Sequence, residues 1–255
     1  MARSTCTTAS TAFALLCLLG CVAAANLADY VVPCKSKDPG LNECVRQAAQ
    51  DIIVKGAKGI PELGIPVLDP AKVGKLELER NGALTMSLVF NNSTHYGLAG
   101  IKIRSASVDP RNNVYNFSVL IPHYVVSGEY DINGRVILLP INGRGQANLT
   151  FTNTEAEWSF SGVQEQRDGQ TFLRLDKLVT RIHDDSPKRV QVHFDGLFGG
   201  NKLLGDTMNN FMNTNWKEIT QQLKPSVDAS FRRRILPVAQ RIVSNFPLSQ
   251  LFSDL

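Results

Sequence analysis

The stretch KLLGDTMNNFMNTNWKEITQQL, Lys202 to Leu223, sets the problem that the rest of the chain has to solve. Leu203, Leu204, Thr207/Met208, Phe211, Met212, Trp216 and Ile219 recur at intervals of three and four, which keeps one side of an α-helix apolar. The spacing predicts one helix of about 33 Å. Its stripe is rich in Met and aromatics and is edged by Asn and Thr. Such a stripe faces a solid core, a membrane or a guest molecule, and periodicity alone does not choose among them.

Toward the C-terminus the helix continues over 226–245, with Val227, Phe231, Ile235, Val238 and Ile242 on one face. Pro225 and Pro237 each remove a backbone donor, so a kink is expected near each. Arg232, Arg233 and Arg234 read as a solvated face of this helix, with contact to anionic lipid as the alternative.

Toward the N-terminus the period changes to two, from Val73 to about Phe194. Leu84, Met86, Leu88 and Phe90 form one apolar series, and Tyr115, Phe117, Val119 and Ile121 a second. Ala147, Leu149 and Phe151 form a third, and Ala156, Trp158 and Phe160 a fourth. Each reads as a strand with one apolar face. The sequences 131–134 (DING) and 167–170 (RDGQ) are hairpin signals, and Gly143 and Gly145 mark an expected bend or bulge. Tight turns between successive strands make the sheet antiparallel.

Ahead of the strands, Asp38-Pro39 reads as an N-cap and first helical residue. Leu41, Cys44, Val45, Ala48, Ile52 and Ile53 mark the face of a helix ending near Gly56 or Gly59. GIPELGIPVLDP, 59–70, reads as an extended, stiff crossing segment. One long helix is thus left to cover a broad apolar sheet. A strongly curled sheet that wraps the helix solves this, and wrapping leaves space along the rod. The fold expected is α+β: a long C-terminal helix wrapped by a highly curved antiparallel β-sheet that encloses an apolar tunnel.

Residues 1–25 read as a secretory signal: Arg3, the apolar run Phe13–Val22, then Ala23, Ala24 and Ala25. The expected mature chain, 26–255, is a single exported domain, and it acts as a monomer. Of five cysteines, Cys34 and Cys44 fall outside the signal, and in an exported protein they pair most simply with each other. Asn92, Asn116 and Asn148 sit in glycosylation sequons. The net charge of +4 is mild and dispersed, which with export argues against nucleic acid as partner. No metal-ligand spacing is present, and no cofactor is expected. The sequence contains no G-x-S-x-G, P-loop or H-E-x-x-H motif. His95, His123, His183 and His193 are scattered, and His183-Asp184-Asp185 reads as a solvated turn rather than a base.

CKSKDPGLNEC from Cys34, GIPELGIPVLDP from Gly59, GEYDINGRVILLPINGRG from Gly128, LFGGNKLLGDTMNNFMNTNW from Leu197 and NFPLSQLF from Asn245 resemble the insect takeout family, which includes the haemolymph juvenile hormone-binding proteins. The matches run in family order along essentially the whole mature chain. The resemblance implies a long helix wrapped by a curved sheet, with a tunnel for a terpenoid or fatty acid derivative. It also implies a secreted carrier of haemolymph, fat body or chemosensory tissue, linked to feeding, circadian and hormonal signalling. The juvenile hormone carriers typically have a second disulfide, which this chain lacks, placing it nearer the takeout branch. A wider superfamily of the same fold includes lipid-transfer and endotoxin-binding proteins, the alternative function, which acts by transient membrane contact.

Periodicity alone gives the candidate ligand contacts. From the strands these are Met86, Leu88, Phe90, Tyr115, Phe117, Val119, Ile121, Tyr130, Leu138, Trp158 and Phe160. From the helix they are Leu204, Met208, Phe211, Met212 and Trp216. Tyr115, Tyr124, Tyr130, Thr207 and Asn215 are the candidates for polar recognition, and Met86, Met208 and Met212 suit a pocket that adapts.

Overall fold

The structure is a computed structural model that describes residues 27–80, 86–137 and 139–255. The signal segment, Leu84 and the expected contact Leu138 lie outside the described residues. Two very long strands, β4 (Val114–Val136) and β5 (Leu139–Arg167), form a spine. They hold one antiparallel register from Val114↔Ser161 to Val136↔Leu139. β3 (Lys102–Asp109) flanks the first half of β4 and β2 (Met86–Tyr96) the second half, with β1 (Ala71–Arg80) outside β2. On the other side, β6 (Gln170–Ile182) and β7 (Arg189–Phe194) divide β5 between them. Among the described residues this is one seven-stranded antiparallel sheet.

The sheet curls where its inward phase switches. On β4 the buried residues are Tyr115, Val119 and Ile121, then Val126, Tyr130 and Ile132, so odd numbers give way to even. The switch falls at Pro122 opposite Asn153, an unpaired rung between Ile121↔Thr154 and His123↔Thr152 in an otherwise constant register, and Asn153 takes φ 51°. A proline with no N–H and a residue in the left-handed region break the pleat without changing the register. The turn of the β4–β5 hairpin lies beyond Val136, not at 131–134, which is paired strand. Asn133-Gly134 is therefore not a turn: two-residue loop chemistry is outweighed by partners on both edges. The 167–170 hairpin forms as expected, with Asp168 at φ 50° and Gly169 at φ 77°. Gly143 and Gly145 make no bulge in the β4–β5 ladder. Glycine is needed because a Cβ at Gly143 would lie 2.7 Å from Leu197 Cα, and one at Gly145 would lie 2.5 Å from the Asp195 carbonyl oxygen.

Three helices pack on the sheet. α1 (Leu41–Lys55) starts two residues later than predicted, because the Asp38 carboxylate accepts from the Gly40 N–H at 2.6 Å. It ends at Gly56 as expected. The Cys34–Cys44 disulfide ties its first turn to the preceding arm. The 59–70 segment is not an extended crossing. Ile60 and Ile65 bond to each other across a short 3₁₀ turn, with Gly64 left-handed at φ 65°.

The C-terminal helix is broken where the sequence predicted continuity. α2 (Lys202–Thr214) and α3 (Trp216–Ser244) meet at Asn215, with φ −100°, whose Nδ2 donates to the Phe211 carbonyl at 2.8 Å. Conversely, α3 runs through Pro225 and Pro237 without ending. Each proline costs one internal bond, but the packing of α3 against β6 and β1 holds the rod together. A short α4 (Leu248–Leu251) follows.

Amide side chains fasten the helices to strand edges. Asn209 pairs with both backbone groups of Phe194 at 2.9 and 3.0 Å, and Asn213 with both of Val192 at 2.8 Å. Gln50 of α1 does the same for β3, accepting from Ile103 N at 2.8 Å and donating to Ile101 O at 2.9 Å. Residues four apart on a helix meet residues two apart on a strand, and the exposed edge of a half-strand is covered.

Candidate ligand cavity

Between α1, α3 and the concave face of the sheet lies an apolar cavity of about 780 Å³. That volume is within the roughly 300–1,000 Å³ range of small-molecule sites. α1 supplies Val45, Ala48, Ala49, Ile52 and Ile53; α3 supplies Val227, Ser230, Phe231, Val238 and Ile242; the sheet supplies aromatics including Phe117, Phe151, Trp158 and Phe160. Tyr115 and Tyr124 both line it, nine residues apart on β4. At strand rise this is about 30 Å, so the space is elongated along the sheet.

A polar relay crosses one wall. Ser93 Oγ lies 2.9 Å from His95 Nε2, and His95 Nδ1 lies 2.5 Å from the Tyr124 hydroxyl. Ser93 is fully buried and His95 is 4% exposed. Burial chiefly, and the charge of Arg234 secondarily, lower the His95 pKa to about 4, so the ring is neutral at ordinary pH. A neutral imidazole has one donor and one acceptor nitrogen. With the proton on Nε2, Ser93 accepts from His95 and donates to the Val73 carbonyl at 3.3 Å, while Tyr124 donates to Nδ1. The Tyr124 lone pairs are then open to the cavity. With the proton on Nδ1 the relay reverses, and Tyr124 presents its O–H. Burial raises the Tyr124 pKa, partly offset by Arg234. At the far end the Tyr115 hydroxyl is buried without a hydrogen-bond partner in the protein. Burial first, then the charge of Asp109, push its pKa up to about 12.

The structure divides the sequence-derived contacts into two groups. Phe90, Tyr115, Phe117, Trp158 and Phe160 line the cavity, as does Tyr124 from the polar set. The others lie elsewhere. Met86, Leu88, Tyr130, Met208 and Met212 belong to a filled cluster with Phe194 and Ile132, and Phe211 packs against it. The Tyr130 hydroxyl donates to the Asp195 carbonyl at 2.6 Å, so it does not face a guest. Val119 and Ile121 pack with Ile101 and Ile103 beneath α1. Leu204 is exposed, and the exposed Thr207 hydroxyl bonds back to the Leu203 carbonyl at 2.7 Å. Trp216 sits at the start of α3 beside Lys217, outside the cavity wall, and Asn215 is spent on the helix break. The Met-rich stripe is thus largely core, and the hollow lies one helix further on.

Sequence reasoning missed His95, Ser93, Arg233, Arg234 and the α1 residues. The β2–β4 register slips between Asn91 and Thr94, and Asn92 takes φ 51°. This bulge turns Ser93 and His95 inward from what reads as an exposed sequon. The doubled Asn was the available signal. Arg234 falls at the i+3 position from Phe231, on the predicted apolar face. Among the described residues no metal-binding cluster occurs, and no helix is long and apolar enough to cross a membrane.

Residues 12–253 match the family described as haemolymph juvenile hormone binding protein. The chain belongs to that family. It is therefore a binding protein for hydrophobic ligands rather than an enzyme. Its relatives include the circadian clock-controlled protein daywake of Drosophila melanogaster, 23% identical over 86% of this chain and 85% of the relative. A putative beta-carotene-binding protein of Schistocerca gregaria is 22% identical over 85% of this chain and 86% of the relative. The crystal structure of Epiphyas postvittana Takeout 1 shares the fold, with a TM-score of 0.76 at 24% identity, over 87% of this chain and 99% of the other.

Proposed function

We propose that this family member is a secreted, monomeric carrier that holds one small apolar molecule, a terpenoid or fatty acid derivative, in the cavity between α1, α3 and the sheet. The observation that carries the reading is the cavity itself: about 780 Å³ of space walled by aliphatic and aromatic side chains. Burying about 300 Å² of an apolar chain stabilises a complex by on the order of 7 kcal/mol. Association entropy subtracts from this, which leaves micromolar affinity. The His95–Tyr124 relay and the unpartnered Tyr115 hydroxyl supply the few polar groups that orient a guest. The relatives named for clock control and for carotenoid binding are consistent with small-molecule signalling or transport.

Export follows from the signal-like residues 1–25, and the exposed Asn92 and Asn148 are the better-placed sequons. Asn116 is half-buried, and its Oδ1 accepts from the Ser159 hydroxyl at 2.6 Å. The test is displacement of the neutral fluorescent probe phenylnaphthylamine by a panel of fatty acids, terpenoids and carotenoids. Displacement at micromolar concentration is expected. If no apolar compound displaces the probe, the carrier reading fails. The phospholipid-transfer alternative instead requires binding to anionic vesicles that salt abolishes.

A further inference from the structure

Among the described residues the cavity wall is charged in one sense only: Lys72, Arg233 and Arg234 line it, and no Asp or Glu does. Among the described residues the side chains of Lys72 and Arg233 have no hydrogen-bond or ion-pair partner. Arg234 spends one of its five N–H donors on the Lys75 carbonyl at 2.7 Å. Asp69, Glu77 and Asp228, the described carboxylates closest to these cations in sequence, are engaged elsewhere: Glu77 with Lys75, Asp228 with Thr180, and Asp69 with the Gly97 and Ala99 N–H groups. Arg233 and Arg234 face solvent on the outer side, so this is the mouth of the cavity, where α3 meets the edge strand β1. Arg234, His95 and Tyr124 line the same cavity, and the Arg234 charge acts on the other two.

We propose that the bound molecule is a single long-chain oxyanion, a carboxylate or a phosphate, seated tail inward with its head against Arg233, Arg234 and Lys72. The proposal rests on the carrier reading above and gives it a chemical class. Guanidinium groups hold oxyanions through paired charge-assisted hydrogen bonds, about twice as strong as neutral ones. Two adjacent arginines repel each other until an anion lies between them. A head at the mouth keeps part of its hydration while the tail leaves water entirely. With the relay proton on Nδ1, the Tyr124 hydroxyl adds a donor to the same head. A neutral ester of equal length gains the burial of its tail but none of these contacts.

The experiment compares palmitate, hexadecyl phosphate, methyl palmitate and hexadecanol as displacers of phenylnaphthylamine, with the wild-type chain and the double variant Arg233→Gln/Arg234→Gln. The wild type is expected to prefer at least one anion to the methyl ester about tenfold, and to lose part of that preference at high salt. Which anion leads identifies the head. The double variant is expected to lose the preference while binding methyl palmitate within about twofold of wild type, a control that it is folded and hollow. Equal binding of anions and ester by the wild type overturns the head assignment and leaves the carrier reading standing. So does a preference that survives in the double variant. Failure of all four compounds overturns both.

Discussion

Where the sheet meets α2, Met208 and Met212 reach Tyr130, Ile132 and Phe194 and fill the interior; where it meets α3, Val227, Ser230 and Val238 stop short and leave about 780 Å³ open. The sheet is one continuous ladder in both places, but α2 is strongly amphipathic and α3 only weakly so. The difference is reach. Methionines and aromatics interdigitate across the first gap, whereas across the second Phe231 of α3 reaches Tyr124 and the shorter Val227, Ser230 and Val238 leave space beside it. Fixation differs too. Asn209 and Asn213 clamp α2 to β7, and among the described residues no such amide pair ties α3 to β1, where Arg234 makes a single bond to Lys75. One continuous sheet thus carries a filled cluster under α2 and an open cavity under α3.

That contrast can be broken by mutation. The largest effect is expected from Met212→Ala at the filled end, a loss of about 2–5 kcal/mol in chemical denaturation with probe affinity unchanged. Next comes pH. His95 has its folded pKa lowered to about 4 against an ordinary value of 6.5, so the unfolded chain takes up a proton first. Its contribution is present above pH 6.5, is lost as pH falls, and levels off below about 4. The loss is about 3 kcal/mol, and His95→Gln should flatten that segment of the stability profile. Cys34→Ala with Cys44→Ala should cost about 2–3 kcal/mol by loop-closure entropy, through the arm and α1 rather than through α2. Val238→Phe should weaken probe binding about tenfold, or about 1.4 kcal/mol, with folding stability changed by less than about 1 kcal/mol. An equal loss of stability there would mean that the hollow end is as tightly packed as the other. The smallest effect is a gain. Tyr115→Phe removes a buried, unpartnered hydroxyl and should raise the stability of the empty protein by about 1 kcal/mol.

Much of this architecture is legible in the order of periods. Period two through the middle and period three-to-four at the end specify a sheet wrapped on a helix, and the resemblance of CKSKDPGLNEC and LFGGNKLLGDTMNNFMNTNW to the takeout family agrees. The position of the hollow is not legible, for three physical reasons. The inward phase reverses at Pro122/Asn153 and again at Asn92, so a pattern read straight along a strand loses its face, and the series ending at Phe90 does not point to Ser93 and His95. A methionine stripe has the same spacing whether it fills a core or lines a cavity, as Met208 and Met212 show. Finally, the sequence marks the apolar face of α1 but not what it meets, and bonds from Asn42, Arg46 and Gln50 to β3 and Ile101 put Val45, Ala48 and Ile52 over the cavity. Arg233 and Arg234 are exposed, as the reading of a solvated face expects, and they also border the cavity; the i+3 spacing of Arg234 from Phe231 is the signal for the second property.

The chain has two tryptophans, and they fall on opposite sides of the comparison: Trp158 lines the cavity, and Trp216 lies at the α2–α3 junction outside it. Fluorescence quenching by a bromine-labelled fatty acid, in Trp158→Phe and Trp216→Phe variants, reads the guest's position directly. Strong quenching of Trp158 in the Trp216→Phe variant, with Trp216 unaffected in the other, is the result this account predicts. Quenching of Trp216 with Trp158 untouched would put the guest at the α2 end and contradict it.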